Sequence, residues 1–151
     1  VKDYLELHGY DQYEISNFSK KGHESKHNLN CWNQKEYIGF GIAAHSYFNK
    51  KRYSNTTNIN EYIENYKKYI KLEEEQNKED EQKEYMMLGL RKIEGVNIQR
   101  FKNKFMENPL YIYKNKIEKL VNEGLLEVDL NNIKLTKKGI DLANLVWEEF
   151  V

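Results

Sequence analysis

A single cysteine, Cys31, is all the thiol this chain has. That excludes an intrachain disulfide and any metal site or cluster built from several thiolates. It fits a reducing, cytosolic compartment. Long apolar runs are also missing, and no stretch approaches the ~20 residues a membrane-spanning helix needs. Neither sign of charge is in excess, with 24 basic and 24 acidic residues, so a globally basic nucleic-acid binder is not indicated and only local patches remain open. The chain starts at Val1 with no Met and no signal peptide, as a fragment or a processed chain does. What is plentiful is aromatic surface. Apolar residues make up only 39%, but 13% of the chain is aromatic, twelve tyrosines among them, and large rings let a modest core form. The 151 residues suffice for one compact domain or two small ones.

Periodicity and punctuation divide the chain. Val1 to Gly9 reads as a helix stopped by glycine. Tyr10 to Phe18 alternates as a short strand, Lys20 to Gly22 is a turn, and residues 23–36 are polar and irregular. Tyr37 to Phe48 reads as a strand of small residues, with Gly39, Gly41, Ala43 and Ala44 allowing close approach of backbone or ligand. Lys50-Lys51 is a hairpin turn, and Arg52 to Ser54 a returning edge. Asn60 is a cap for a helix over Glu61 to Leu72. The acidic residues of 73–84 are either a boundary between two units or a solvated face continuing that helix.

The last third has a clear order. A helix over Glu81 to Arg91 is followed by a second over Asn97 to Phe105. A third, opened by Pro109, runs over Leu110 to Asn122 with Tyr113, Ile117, Leu120 and Val121 facing inward and Gly124 ending it. Leu125 to Val128 and Ile133 to Leu135 form a hairpin. Thr136 caps a closing helix through Leu142, Leu145, Val146 and Phe150. Helix, helix, helix, hairpin, helix is the winged-helix order.

Several patterns of chemistry are present only in part. Residues 91–138 hold eleven Lys or Arg against six Asp or Glu, enough for phosphate contacts. The third helix, however, offers lysines and asparagine rather than an array for base edges, so no nucleic-acid partner is expected. His23, His27 and Cys31 are spaced four apart, as zinc ligands on a helix would be, but Gly22, Asn28 and Asn30 argue against a helix and no fourth ligand is evident. Gly39-Phe40-Gly41-Ile42-Ala43-Ala44 formally fits the dinucleotide fingerprint, yet aromatic residues follow where a helix should start. We read those glycines as a packed strand beside a pocket. Glu14 and His45 are isolated acid–base groups, and no catalytic residue is assigned.

Three stretches taken together resemble one family. Gly9 and the following Tyr-Asp-Gln-Tyr-Glu-Ile-Ser-Asn-Phe (residues 10–18) resemble a Gly-Tyr-x-x-Tyr-Glu-Ile-Ser-Asn-Phe signature. His-Asn-Leu-Asn-Cys-Trp (27–32) resembles a His-Asn-x-x-Tyr-Trp motif. Gly-Phe-Gly-Ile-Ala-Ala-His-Ser-Tyr (39–47), with Arg52-Tyr53-Ser54-Asn55, resembles the segment that follows. Tyr85, Leu88 to Arg91, Glu94-Gly95, Leu125-Leu126 and Leu135-Thr136 with Gly139 are similar to the C-terminal winged-helix domain of the same proteins. The family is the radical-SAM, oxygen-independent coproporphyrinogen III oxidase-like group of HemN/HemW type, and the His-Asn motif points to its haem-chaperone branch.

The resemblance implies a C-terminal fragment of α/β (α+β) class. Residues 1–78 would be the C-terminal strands and helices of a partial radical-SAM barrel, and 79–151 a winged-helix domain. It implies haem as ligand, at His27, Asn28 and Trp32, with Cys31, where the family has Tyr, as a further axial-ligand candidate. Tyr13, Glu14, Gly39, Gly41 and His45 are pocket candidates. The full-length proteins carry a 4Fe–4S cluster and S-adenosylmethionine. One thiol cannot hold that cluster, so the fragment alone should be inactive in radical chemistry. The implied partners are haem or a porphyrinogen, the missing N-terminal barrel and haem-accepting proteins, in the cytoplasm or peripheral to the membrane. The alternative is part of an oxidase that decarboxylates coproporphyrinogen III oxidatively to protoporphyrinogen IX. Without the barrel, residues 1 to about 75 would expose strand edges, and self-association or marginal stability is expected of that half.

Overall fold

The computed structural model describes all 151 residues. In chain order they form α1 (Lys2–Leu7), β1 (Asp11–Gln12), β2 (Phe18–Ser19), α2 (Lys26–Trp32), β3 (His45–Phe48), β4 (Lys51–Ser54), α3 (Ile59–Asn65), β5 (Lys71–Glu75) and α4 (Lys78–Gly89). There follow β6 (Val96–Asn97), α5 (Ile98–Phe105), α6 (Pro109–Ile112), α7 (Lys114–Asn122), β7 (Leu126–Val128), β8 (Asn132–Leu135), α8 (Lys137–Asp141) and α9 (Ala143–Glu148). Two compact units result, one of residues 1–33 with 82–151, the other of residues 34–81. Packing therefore does not divide the chain at 78/79. Residues 1–33 join the C-terminal third because an antiparallel bridge pairs Glu14 with Lys92, and Ile15 packs on that unit's core.

The larger unit is built on aromatic and aliphatic residues at helical spacing. Asn97 caps α5 by accepting from Arg100 N at 2.9 Å, and α5 then buries Ile98, Phe101 and Phe105. Phe101 and Phe105 lie 4.6 Å apart, centroid to centroid, and Tyr85 of α4 meets both edge-on. Ile117 and Leu120 of α7, Leu126, Ile133 and Val146 close the same core. β6 joins the β7–β8 hairpin to make an antiparallel sheet of order β6-β8-β7, with Val96 opposite Ile133 and Leu126 opposite Leu135. Helices and sheet thus follow the winged-helix order. β6 was not foreseen, since two residues carry no period.

The third and closing helices differ from expectation because each is broken. Tyr113 (φ −110°, ψ 20°) separates α6 from α7, and Leu142 (φ −119°, ψ 30°) separates α8 from α9. The break at Leu142 re-phases the closing helix, where Leu142 and Leu145 are exposed rather than inward; in α7, Ile117 and Leu120 face inward as expected and Val121 is exposed.

The N-terminal segment also departs from the sequence reading. Residues 10–18 are not one strand. Glu14 Oε1 accepts from Ser16 N (2.8 Å) and Asn17 Nδ2 (2.6 Å), the chain turns, and β2 pairs with β1, Asp11 opposite Ser19. Residues 26–32 are helical despite Asn28 and Asn30, because Ser25 Oγ caps α2 by accepting from Asn28 N.

The smaller unit is an antiparallel sheet of order β3-β4-β5 with α3. The strand expected over Tyr37 to Phe48 shrinks to β3. Gly41 (φ 105°) and Ala43 (φ 55°) turn the chain, so that Tyr37 pairs with Tyr47 through two main-chain hydrogen bonds of 2.8 and 3.0 Å. Asn49 and Lys50 both take positive φ in the β3–β4 turn, matching the twist of a two-residue hairpin. β4 is central rather than an edge, because the acidic residues expected in a helix or boundary form β5. There Glu74 meets Arg52 (3.4 Å) and Glu75 meets Lys51 (3.2 Å). α3 is correspondingly short, and its cap is Asn58, which accepts from Asn60 N at 2.9 Å. Tyr47 is the one fully buried apolar residue of this unit.

Gly95 has φ +73°, and a Cβ there would lie 2.2 Å from the Ile133 carbonyl oxygen. Gly22 has φ +81° with open space around it. Gly22→Ala should cost about 1 kcal/mol, the strain of left-handed backbone alone. Gly95→Ala adds a backbone clash and should cost roughly 3 kcal/mol by urea denaturation. Equal losses would contradict the packing described.

Candidate functional site

α2 carries most of the residues that the sequence singles out. His27 is exposed, and Asn28, Cys31 and Trp32 are half-buried. His27 and Cys31 stand one turn apart on one face, with Nε2 and Sγ 3.8 Å from each other. His23 lies outside the helix, and nowhere do three or more His, Cys, Asp or Glu side chains converge as a metal site. The zinc arrangement is therefore not formed. With one thiol in the sequence, the chain does not fit a 4Fe–4S cluster held by several of its own cysteines.

Trp32 has another neighbour. The Arg91 guanidinium carbon lies 4.4 Å from the centroid of the Trp32 ring and 4.7 Å from that of Trp147 in α9. One planar cation thus touches both tryptophans of the chain. Both indole Nε1 atoms and Arg91 Nε are buried without a hydrogen-bond partner. One residue on, Asn33, the C-cap of α2, accepts from Lys92 Nζ at 2.7 Å, and Lys92 also meets Glu94 at 3.1 Å. Arg91 entered the sequence reading only within the Leu88 to Arg91 resemblance, and no site role was assigned to it or to Lys92, Asn33 or Trp147. No local signal marks the group, since Trp32, Arg91 and Trp147 lie far apart along the chain.

The pocket candidates separate. Tyr13 and Leu29 line a cleft of about 350 Å³ with Asn33, Lys92 and Ile93. Glu14 is 0% exposed and its Oε2 has no partner, so it sits beneath the surface rather than facing a ligand. Gly39 belongs to the smaller unit, where it lines a cavity of about 430 Å³ with Phe40, Phe48, Tyr53, Asn55 and Tyr62. Its closeness to the backbone is real, for a Cβ there would meet the His45 carbonyl oxygen at 2.2 Å. Gly41 N donates to Tyr62 Oη at 3.0 Å, Gly41 O accepts from Asn55 Nδ2 at 2.8 Å, and His45 is exposed on β3.

The architecture defines the class. Residues 76–142 match the HemN C-terminal domain. The fold matches a solved structure described as "Coproporphyrinogen III oxidase (HemN) from Escherichia coli is a Radical SAM enzyme", with a TM-score of 0.74 over 98% of this chain and 38% of that one. At 14% identity this is a likeness of fold alone. The chain is also 38% identical over 152 residues to a heme chaperone HemW of Lactococcus lactis, and 36% identical over 154 residues to one of Bacillus subtilis. Each alignment takes in 100% of this chain and 40% and 41% of the relatives, so the chain spans about two fifths of their length. The chain belongs to the HemN/HemW-type family and contains its C-terminal domain.

Burial holds the Lys92 ammonium below the usual lysine range, against a smaller opposing pull from Glu94. A lysine depressed by folding binds its proton more weakly in the native state. The penalty is complete below the folded value and is relieved as pH rises from there toward 10.5. Wild type should therefore gain stability relative to Lys92→Met between neutral pH and about pH 9.5, read by urea unfolding. A loss over that interval would mean that Glu94 and Asn33 outweigh burial.

Proposed function

We propose that this chain is the haem-holding portion of a haem chaperone, with the His27 imidazole as axial ligand to the iron. The observation that carries the reading is an exposed imidazole on a capped helix, within a motif of the type His-Asn-x-x-x-Trp, in a chain whose relatives include heme chaperones HemW. A neutral imidazole is a good ligand for haem iron, and its exposure leaves a path for a flat macrocycle to approach. Asn28 stands beside it on the same turn of α2, and Trp32 one turn further on. In this reading haem is cargo, taken up at α2 and passed to haem-accepting proteins. The Cys31 thiol, 3.8 Å from His27 Nε2, is the second donor within reach of the same iron.

The reading extends to the parent protein. Residues 1–78 would complete a radical-SAM barrel whose remainder carries the cluster and S-adenosylmethionine, with 79–151 as the C-terminal domain. Phe40 (86% exposed) and Ile63 (75%) are apolar surface that such a barrel would cover, and without it association between copies is expected. A cytoplasmic setting suits the lone thiol, and no helix is long and apolar enough to cross a membrane. The oxidase alternative has less support, since the HemN likeness is one of fold.

Haemin titration followed by absorbance tests this. Wild type should give a saturable Soret shift, and His27→Ala should weaken binding by about tenfold or more, the scale of ~1.4 kcal/mol. Cys31→Ala should leave it near wild type. If only Cys31→Ala weakens binding, the thiolate is the ligand and the assignment of His27 fails. Absence of saturable binding overturns the claim that these residues hold haem by themselves.

A further inference from the structure

α2 is a seven-residue helix with no fully buried side chain. A helix that short has negligible stability by itself, so the direction of the His27 imidazole has to come from tertiary contacts. Its Ser25 cap is local and decides where the helix starts, not how it is aimed. The contacts that aim it cluster at its other end, on two consecutive residues. Arg91 stacks on Trp32 and Lys92 donates to Asn33 Oδ1.

Those two residues are themselves fixed. Leu90, which precedes them, is 0% exposed in the core. Arg91 O accepts from Ile15 N at 3.0 Å, and Ile93 N donates to Tyr13 O at 3.2 Å, so main-chain hydrogen bonds flank the dipeptide. The Arg91 guanidinium also lies over Trp147, 4.7 Å from its ring centroid, and the helix of Trp147 buries Ala143 and Val146. His27 stands five residues from Trp32, about 7.5 Å along the helix. A tilt of roughly 15° about the clamped end would carry it about 2 Å, enough to spoil axial ligation.

We propose that Arg91 and Lys92 are positioning residues that aim the haem-binding helix, with Trp147 of the C-terminal domain as the backstop of the Arg91 stack. This rests on the haem reading of His27. It assigns the C-terminal domain a role in the site without contact with the ligand. The contact requires a planar cation that reaches both indole rings, which a lysine ammonium cannot reproduce.

The chain supplies its own probes. Cys31 is its sole thiol and lies on α2, and both tryptophans touch Arg91. Arg91→Ala and Arg91→Lys should each speed thiol labelling of Cys31 without haem by about fivefold and red-shift tryptophan emission, with the urea midpoint of the core little changed. Haem transfer to an excess of apomyoglobin should quicken about tenfold in Arg91→Ala, the scale of one desolvated cation–π contact. In a His27→Ala background the same change should have no further effect, since a positioning residue acts through the ligand it aims.

Should Arg91→Ala fail to fold, Trp147→Phe removes part of the stack and should shift both readouts in the same direction. Unchanged thiol labelling, or effects of Arg91→Ala and His27→Ala that multiply, would overturn the proposal. If wild type takes up no haem, the haem reading falls, and the labelling arm still decides whether Arg91 holds α2.

Discussion

A short antiparallel seam between residues 13–15 and 91–93 governs the organisation of this chain. Two main-chain hydrogen bonds, which together make the antiparallel Glu14–Lys92 bridge, lay the N-terminal segment against the turn that leaves α4. The first 33 residues have no core of their own. Only Glu14 among them is fully buried, and Ile15 reaches the core of the C-terminal third. Through the seam, α2 and its imidazole acquire a rigid base. The seam also explains why packing cuts across the division that the sequence suggests, since the segment with the ligand candidates belongs with the winged-helix core.

On the proposed reading of His27, α2 has a physical character suited to carrying a ligand. Its donor sits in water on a short helix held by polar and cation–π contacts, not by apolar burial. Such elements belong to the less stable part of a protein, where local opening is cheap. Loading and release both need that mobility, whereas a reaction centre needs rigid surroundings. The buried Lys92 and the half-buried Arg91 pull the other way. Their charges are desolvated, so the few contacts they make at the end of α2 are oriented and hard to replace.

The smaller unit shows how much of a family fold depends on context. Its sheet is stitched by hairpin geometry, cross-strand ion pairs and main-chain bonds, and Tyr47 alone is fully buried among its apolar residues. The Gly39 and Gly41 turns, bound to Ser46, Tyr62 and Asn55, hold the loop in place without a core. The unit's exposed aromatic and aliphatic surface includes Phe40 and Ile63.

By itself the sequence determined the order of the main elements in the C-terminal third, but not β6 or the breaks at Tyr113 and Leu142. Asn97 and Thr136 as caps, Pro109 and Gly124 as start and stop, and the spacing of Ile98, Phe101 and Phe105 are signals that act within one helical turn. Family membership was legible too, because motifs are linear. The tertiary structure alone decided that an acidic run is a strand, and that Glu14 is buried. It also decided that Trp32 is occupied by Arg91. The reason is distance along the chain. Arg52 lies far from Glu74 in sequence, and Lys92 stands 59 residues from Asn33, so neither pairing leaves a periodic trace until the backbone has brought the partners together.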